Sequence, residues 1–137
     1  MFSVKQTINN LVAQPQLNAL LAVASRALMS LIFIGAGYSK LIGYAGTQSY
    51  MEAMHVPGAL LPLVIAMELG GGIALLLGFQ TRLVAALLAG FSVITGFIFH
   101  GGADQMNQIM LMKNFAMAGG LLAFVRTGAG APAIDKD

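Results

Sequence analysis

Four apolar runs, residues 17–38, 57–79, 83–99 and 109–125, occupy most of this 137-residue chain. Each is near the ~17 to 25 residues that a helix needs to cross hydrocarbon. With 58% hydrophobic and 9% charged residues, the chain lacks the roughly one-quarter charge that coats a soluble domain. The pattern predicts an all-α membrane protein: an antiparallel bundle of four transmembrane helices, with a short interfacial helix in the first connector. The last two runs are short, and their helices are expected to extend into the polar connector 101–108.

The organisation follows from where the polar residues fall. Residues 1–16 form an N-terminal polar or interfacial segment, 17–126 the four-helix domain, and 127–137 a short C-terminal tail. The N-terminus carries one lysine, Lys5, and lacks the charged start and short apolar core of a signal peptide. Phe2, Val4, Ile8, Leu11 and Val12 mark a weak helical face that suits the membrane surface before Pro15 opens the first crossing. The connector 39–56 is long enough for a helix starting near Thr47 and ending before Val56-Pro57-Gly58. Gln80-Thr81-Arg82 reads as a tight turn between the second and third spans. Lys5, Arg82, Arg126 and Lys136 share one side, which places both termini in the cytoplasm.

Two runs carry a charge near their middle, Arg26 and Glu68. A buried charge costs at least ~2.5 to 3.5 kcal/mol on insertion scales, so such groups face the bundle interior, find partners and mark functional pathways. Counting ~1.5 Å per residue puts both near mid-membrane, with Lys113 of the descending fourth span within reach. This predicts a buried cluster in which Arg26 pairs with Glu68, either as a purely structural ion pair or as one that also contacts ligand or protons. Arg26, Ser30, Phe33, Gly37 and Lys40 share one helical face. Glu68 and Gly72 align similarly, and Gly70-Gly71-Gly72 removes bulk beside the carboxylate. Ala86 with Gly90, Ser92 with Gly96 and Ala116 with Gly120 are small pairs that suit close helix packing.

Other chemistry is narrowed by what is missing. Without cysteine there is no thiol exchange and no cysteine-ligated cluster. His55 and His100 both fall on the outer side without ligand spacing, so no metal is expected. The nine methionines are scattered like packing residues. No phosphate-binding loop, nucleophile elbow or H-E-x-x-H occurs, and the dispersed positive residues argue against a nucleic-acid partner.

Arg26, the segment Phe33-Ile34-Gly35-Ala36-Gly37-Tyr38-Ser39-Lys40, Glu68-Leu69-Gly70-Gly71-Gly72 and Gly78-Phe79-Gln80-Thr81-Arg82 resemble the DoxX family of bacterial inner-membrane proteins. Phe97-Ile98-Phe99-His100 and Met112-Lys113-Asn114-Phe115-Ala116-Met117-Ala118-Gly119-Gly120 extend the resemblance over 26–120. It implies a multi-pass protein of the bacterial inner (plasma) membrane and a link to quinone-dependent or stress-related redox metabolism, without a settled catalytic mechanism. Matching positions make Arg26, Lys40, Glu68, His100, Lys113 and Asn114 the ligand-binding candidates, while catalytic residues stay unassigned. The leading expectation is a polar intramembrane pocket that takes a quinone or related small aromatic molecule from the lipid phase. Arg26, Lys113 or Asn114 would donate to carbonyl oxygens, and Glu68 would balance charge or relay protons. The alternatives are a non-catalytic subunit or scaffold of a redox complex, self-associating or bound to a membrane redox partner, and a small-molecule carrier.

Overall fold

The computed structural model describes residues 3–136, in which helices are the only regular elements. Phe2, assigned to the N-terminal apolar face, lies outside the described residues. Helix α1 (Val4–Ala13) is capped by Ser3, whose hydroxyl accepts from the Gln6 amide, and buries none of its residues. Its Val4, Ile8 and Leu11 are exposed, as an interfacial face would be. A break at Gln14 and Pro15 at the first helical position then begins α2 (Pro15–Ile42), since proline at that position forfeits no helical hydrogen bond.

Helix α3 (Tyr44–Ala53) fills the first connector. It starts earlier than Thr47 because α2 runs on to Ile42, leaving Gly43 as the whole link. The second span, α4 (Gly58–Leu77), is followed by α5 (Thr81–Phe99) and α6 (Gln105–Thr127); with α2, these are the four helices among the described residues long and apolar enough to cross a membrane. The fourth span does extend into the polar connector, beginning at Gln105 under an Asp104 cap.

Close backbone approach joins α2 to α4. A Cβ on Gly37 would lie 2.8 Å from the Leu69 amide nitrogen, and one on Gly72 would lie 3.1 Å from that of Ile34. Small residues permit this contact where no hydrophobic drive exists between helices in lipid. Phe33, Leu75, Ala85, Leu88, Ala89, Ala118 and Leu121 form the common core. The small pairs divide: Gly96 sits against Leu111 and Asn114, and Gly120 against Met29, while Gly90 faces open space.

Helix α5 begins at Thr81, so Arg82 belongs to its first turn and the connection is Gly78–Gln80. Gly78, at φ 70°, ends α4 in the left-handed conformation, which glycine adopts without a Cβ penalty. The C-terminal tail folds back onto this corner. Ile134 and Asp135 donate backbone amides to the carbonyls of Leu77 and Gly78, and the Asp135 carboxylate accepts from the Gln80 and Thr81 amides at 2.8 and 2.9 Å. The tail therefore satisfies both the end of one span and the start of the next.

Candidate functional site

The expected pairing of Arg26 with Glu68 is not formed. Arg26 is buried, at 2% exposure, and donates to the carbonyls of Ala22, Leu76 and Pro132. Leu76 lies in the last turn of α4, about 12 Å along that helix from Glu68 at the α-helical rise. Depth counted separately along each run placed the two charges at one level. In the structure α2 is 28 residues long, and its Arg26 is level with the terminus-side end of α4. There the guanidinium meets the freed carbonyls and negative end of a helix, with Asp135 close enough for its charge to be felt.

Glu68 instead meets Lys40, with Nζ and Oε1 2.7 Å apart. At that distance the ammonium and the carboxylate form a close ion pair. The pair is asymmetric, the side chains being 7% and 30% exposed. Lys113 lies near enough to add its field at the carboxylate. Glu68 sits in a π-helical segment, Ala66–Gly70, a local widening that is frequent at functional sites.

These groups line a cavity of about 360 Å³ in the half of the bundle away from the termini, within the ~300 to 1,000 Å³ usual for small-molecule sites. The cleft arises because α4 packs on α5 through its lower segment, Gly71–Leu77, where Gly71 abuts Leu88. Above that segment the two helices diverge. Thr47, Tyr50 and Met51 of α3 close the outer end, and Tyr50 stacks on Phe99 with ring centroids 5.5 Å apart. Leu60, Ile94 and Ile98 line the cavity and are also exposed, so its side wall reaches the lipid-facing surface.

Of the six candidates, Lys40, Glu68, His100, Lys113 and Asn114 line this cavity and Arg26 does not. Asn114 is fixed by donating to the Ser92 carbonyl at 2.9 Å, with Thr95 Oγ1 at 3.4 Å. Ser92 Oγ is buried and has no hydrogen-bond partner among the described residues. Residue-by-residue reading missed Ser92 and Tyr50 as wall residues. Ser92 had entered only as a small packing position, and Tyr50 only as an interfacial aromatic. Among the described residues no three His, Asp or Glu side chains gather as a metal site would require.

The DoxX family model matches residues 21–101, a stretch that takes in most of α2 and all of α3, α4 and α5. The chain belongs to the DoxX family. It is 52% identical over 115 residues to the inner membrane protein YqjF of Escherichia coli, covering 83% of this chain and 88% of the relative. It is 36% identical to the inner membrane protein YphA of the same organism, over 85% of this chain and 89% of the relative. CatD of Bacillus subtilis, provisionally named an oxidoreductase, is 33% identical over 64 residues, 47% of this chain and 48% of the relative. No solved structure matches. Four apolar helices and these relatives together make this DoxX-family chain a multi-pass inner-membrane protein.

Proposed function

We propose that the cavity between α4 and α5 binds a quinone or related small aromatic molecule and links the protein to redox or stress metabolism. The observation that carries this reading is the make-up of the wall itself: the Lys40–Glu68 ion pair, Lys113 and Ser92, whose hydroxyl is unpartnered, line it together with Phe91, Phe99 and Tyr50. A flat ring bearing oxygens suits that mixture. Apolar atoms cover its faces, and Ser92 or Lys113 donates to its rim. Access from lipid fits the exposed wall residues, and the protonatable pair is suitably placed to exchange protons with a bound ring oxygen.

Orientation belongs to the same proposal. Lys5, Arg26, Arg82, Arg126 and Lys136 all fall at the terminus-bearing end or outside it, whereas Lys40 and Lys113 lie in the cavity half. This balance favours cytoplasmic termini and a cavity in the outer leaflet half. The chain has no native cysteine, so single cysteines at Lys136 and Gly102 can be labelled selectively. A membrane-impermeant thiol reagent applied to intact cells should label the Gly102 site alone; the opposite pattern inverts the orientation.

The binding test is equilibrium dialysis of the purified protein in micelles against 1,4-naphthoquinone, beside a Ser92→Leu variant that fills the cavity. Saturable binding weakened at least tenfold in the variant supports the site. Absence of saturable binding to folded native protein refutes it and favours the subunit reading.

A further inference from the structure

The polar groups of the cavity do not balance in charge. Lys40 and Lys113 bring two positive charges, and Glu68 is the one carboxylate among the lining residues. Lys40 takes up that carboxylate at 2.7 Å. Lys113 is half-buried on α6 and has no ion-pair partner among the described residues, though its field is felt at Glu68. The other carboxylates among the described residues, Glu52, Asp104 and Asp135, do not line the cavity. Asp104 is turned to its own helix, accepting from Asn107 at 2.6 and 3.2 Å.

An unpaired cation inside an apolar wall is costly and calls for a counter-charge. Here the space next to it is open. The cavity also contains donors fit for an oxygen anion, namely the orphaned Ser92 hydroxyl and the ring N–H of His100. A bound monoanion would bring Lys40, Glu68, Lys113 and ligand to zero net charge, whereas a neutral ring leaves the excess in place.

We propose that the site selects a small aromatic molecule in its singly ionised form, with an acidic oxygen, phenolate or carboxylate, placed against Lys113 and Ser92. This rests on the cavity being the ligand site proposed above, and it narrows the ligand to ring-borne oxygen acids. Lys113 sets the selectivity and Glu68 limits it to a single negative charge.

The test compares matched pairs by equilibrium dialysis against protein in zwitterionic micelles: benzoate with benzamide, and 4-nitrophenolate with 4-nitroanisole. Naphthoquinone serves as the neutral ring that tests the cavity itself. The expected result is anion binding at least tenfold tighter than that of the neutral partner. Lys113→Gln should bring this ratio near one by weakening the anions more than the neutral rings, and Lys113→Arg should retain it. Glu68→Gln should raise the ratio, because one competing negative charge is removed. The benzoate and nitrophenolate arms distinguish carboxylate from phenolate as the favoured acid. If naphthoquinone or benzamide binds at the cavity and the anions bind no tighter, this inference fails while the site stands. If no ring binds saturably, the site itself fails. An anion preference unchanged in Lys113→Gln overturns the assignment to Lys113.

Discussion

The Lys40–Glu68 pair offers the sharpest quantitative test, because its two members differ in burial. At 2.7 Å, unit charges attract by about 6 kcal/mol with an effective dielectric constant near 20. Desolvation of several kcal/mol per ion offsets most of this, so the net value of the pair is small, while loss of one member is expensive. The expense depends on which charge is orphaned. Lys40→Met leaves Glu68, 7% exposed, with only the more distant Lys113, and should cost about 3 to 5 kcal/mol. Glu68→Gln leaves Lys40, which is 30% exposed and can turn its ammonium toward the rim. That change should cost roughly 1 to 2 kcal/mol, nearer the cost of an unmet polar group. The joint replacement removes both charges and should also cost about 1 to 2 kcal/mol, a coupling of a few kcal/mol between the sites. Reversible unfolding in mixed micelles, followed by circular dichroism, reads all three variants. Additive losses within about 0.5 kcal/mol, or an equal cost for the two single changes, would refute the argument.

Three further outcomes follow from named contacts. Gly72→Ala, whose Cβ would press on Ile34 and Phe33, should destabilise by about 1 to 3 kcal/mol through overpacking, whereas Gly90→Ala, with nothing within 4 Å, should be neutral or stabilise by up to about 1 kcal/mol; the same unfolding assay separates them. Arg26→Met should cost about 1 to 3 kcal/mol by removing the guanidinium's bonds to the Leu76 and Pro132 carbonyls, and limited proteolysis should then cut the C-terminal tail faster. The Thr81 amide, helped by the Gln80 amide and the Arg26 charge, holds the Asp135 carboxyl below its usual range. Its contribution is therefore complete above the ordinary value of 3.8 and is lost as pH falls through the lower folded value. Tail docking should persist at pH 5 and weaken below about pH 4, seen as faster amide exchange at Gln80 and Thr81, and Asp135→Asn should abolish that dependence.

The spans were legible because hydropathy fixes them through length alone, and the lengths hold whatever the helices pack against. The face bearing Arg26, Ser30, Phe33 and Gly37 was legible too, since helical spacing decides which residues can be buried together, and all four are. Relative level was not. Periodicity orders residues around one helix axis but says nothing of how far one helix slides along another. Here that offset is set by contacts no single run contains: Gly37 against Leu69, Gly72 against Ile34 and the returning tail on Arg26. Lys40 stood on the same stripe as Arg26 and was the better partner for Glu68 once the offset was known. The tail was opaque for another reason. Residues 128–136 have no periodicity, and Ile134 and Asp135 bond to backbone groups at 77–81, which carry no side-chain signature.

The offset also separates two kinds of buried charge that share a residue stripe. Arg26 is met by a carbonyl at the end of a span and by one in the tail, so its two terminal nitrogens serve the closure of that end. Lys40 and Lys113 face a cavity whose walls diverge. If both were structural in the same sense, closing the cavity would carry no penalty beyond packing. The charge excess argues otherwise: filling the space with apolar bulk, as in Ser92→Leu, buries Lys113 further without an anion. That variant should therefore lose more stability than overpacking alone predicts, about 1 to 3 kcal/mol, and Ser92→Leu combined with Lys113→Met should recover part of the loss. Micelle unfolding of the two variants decides the point. An equal or larger loss in the combined variant would show that Lys113 already has its charge satisfied in the closed wall.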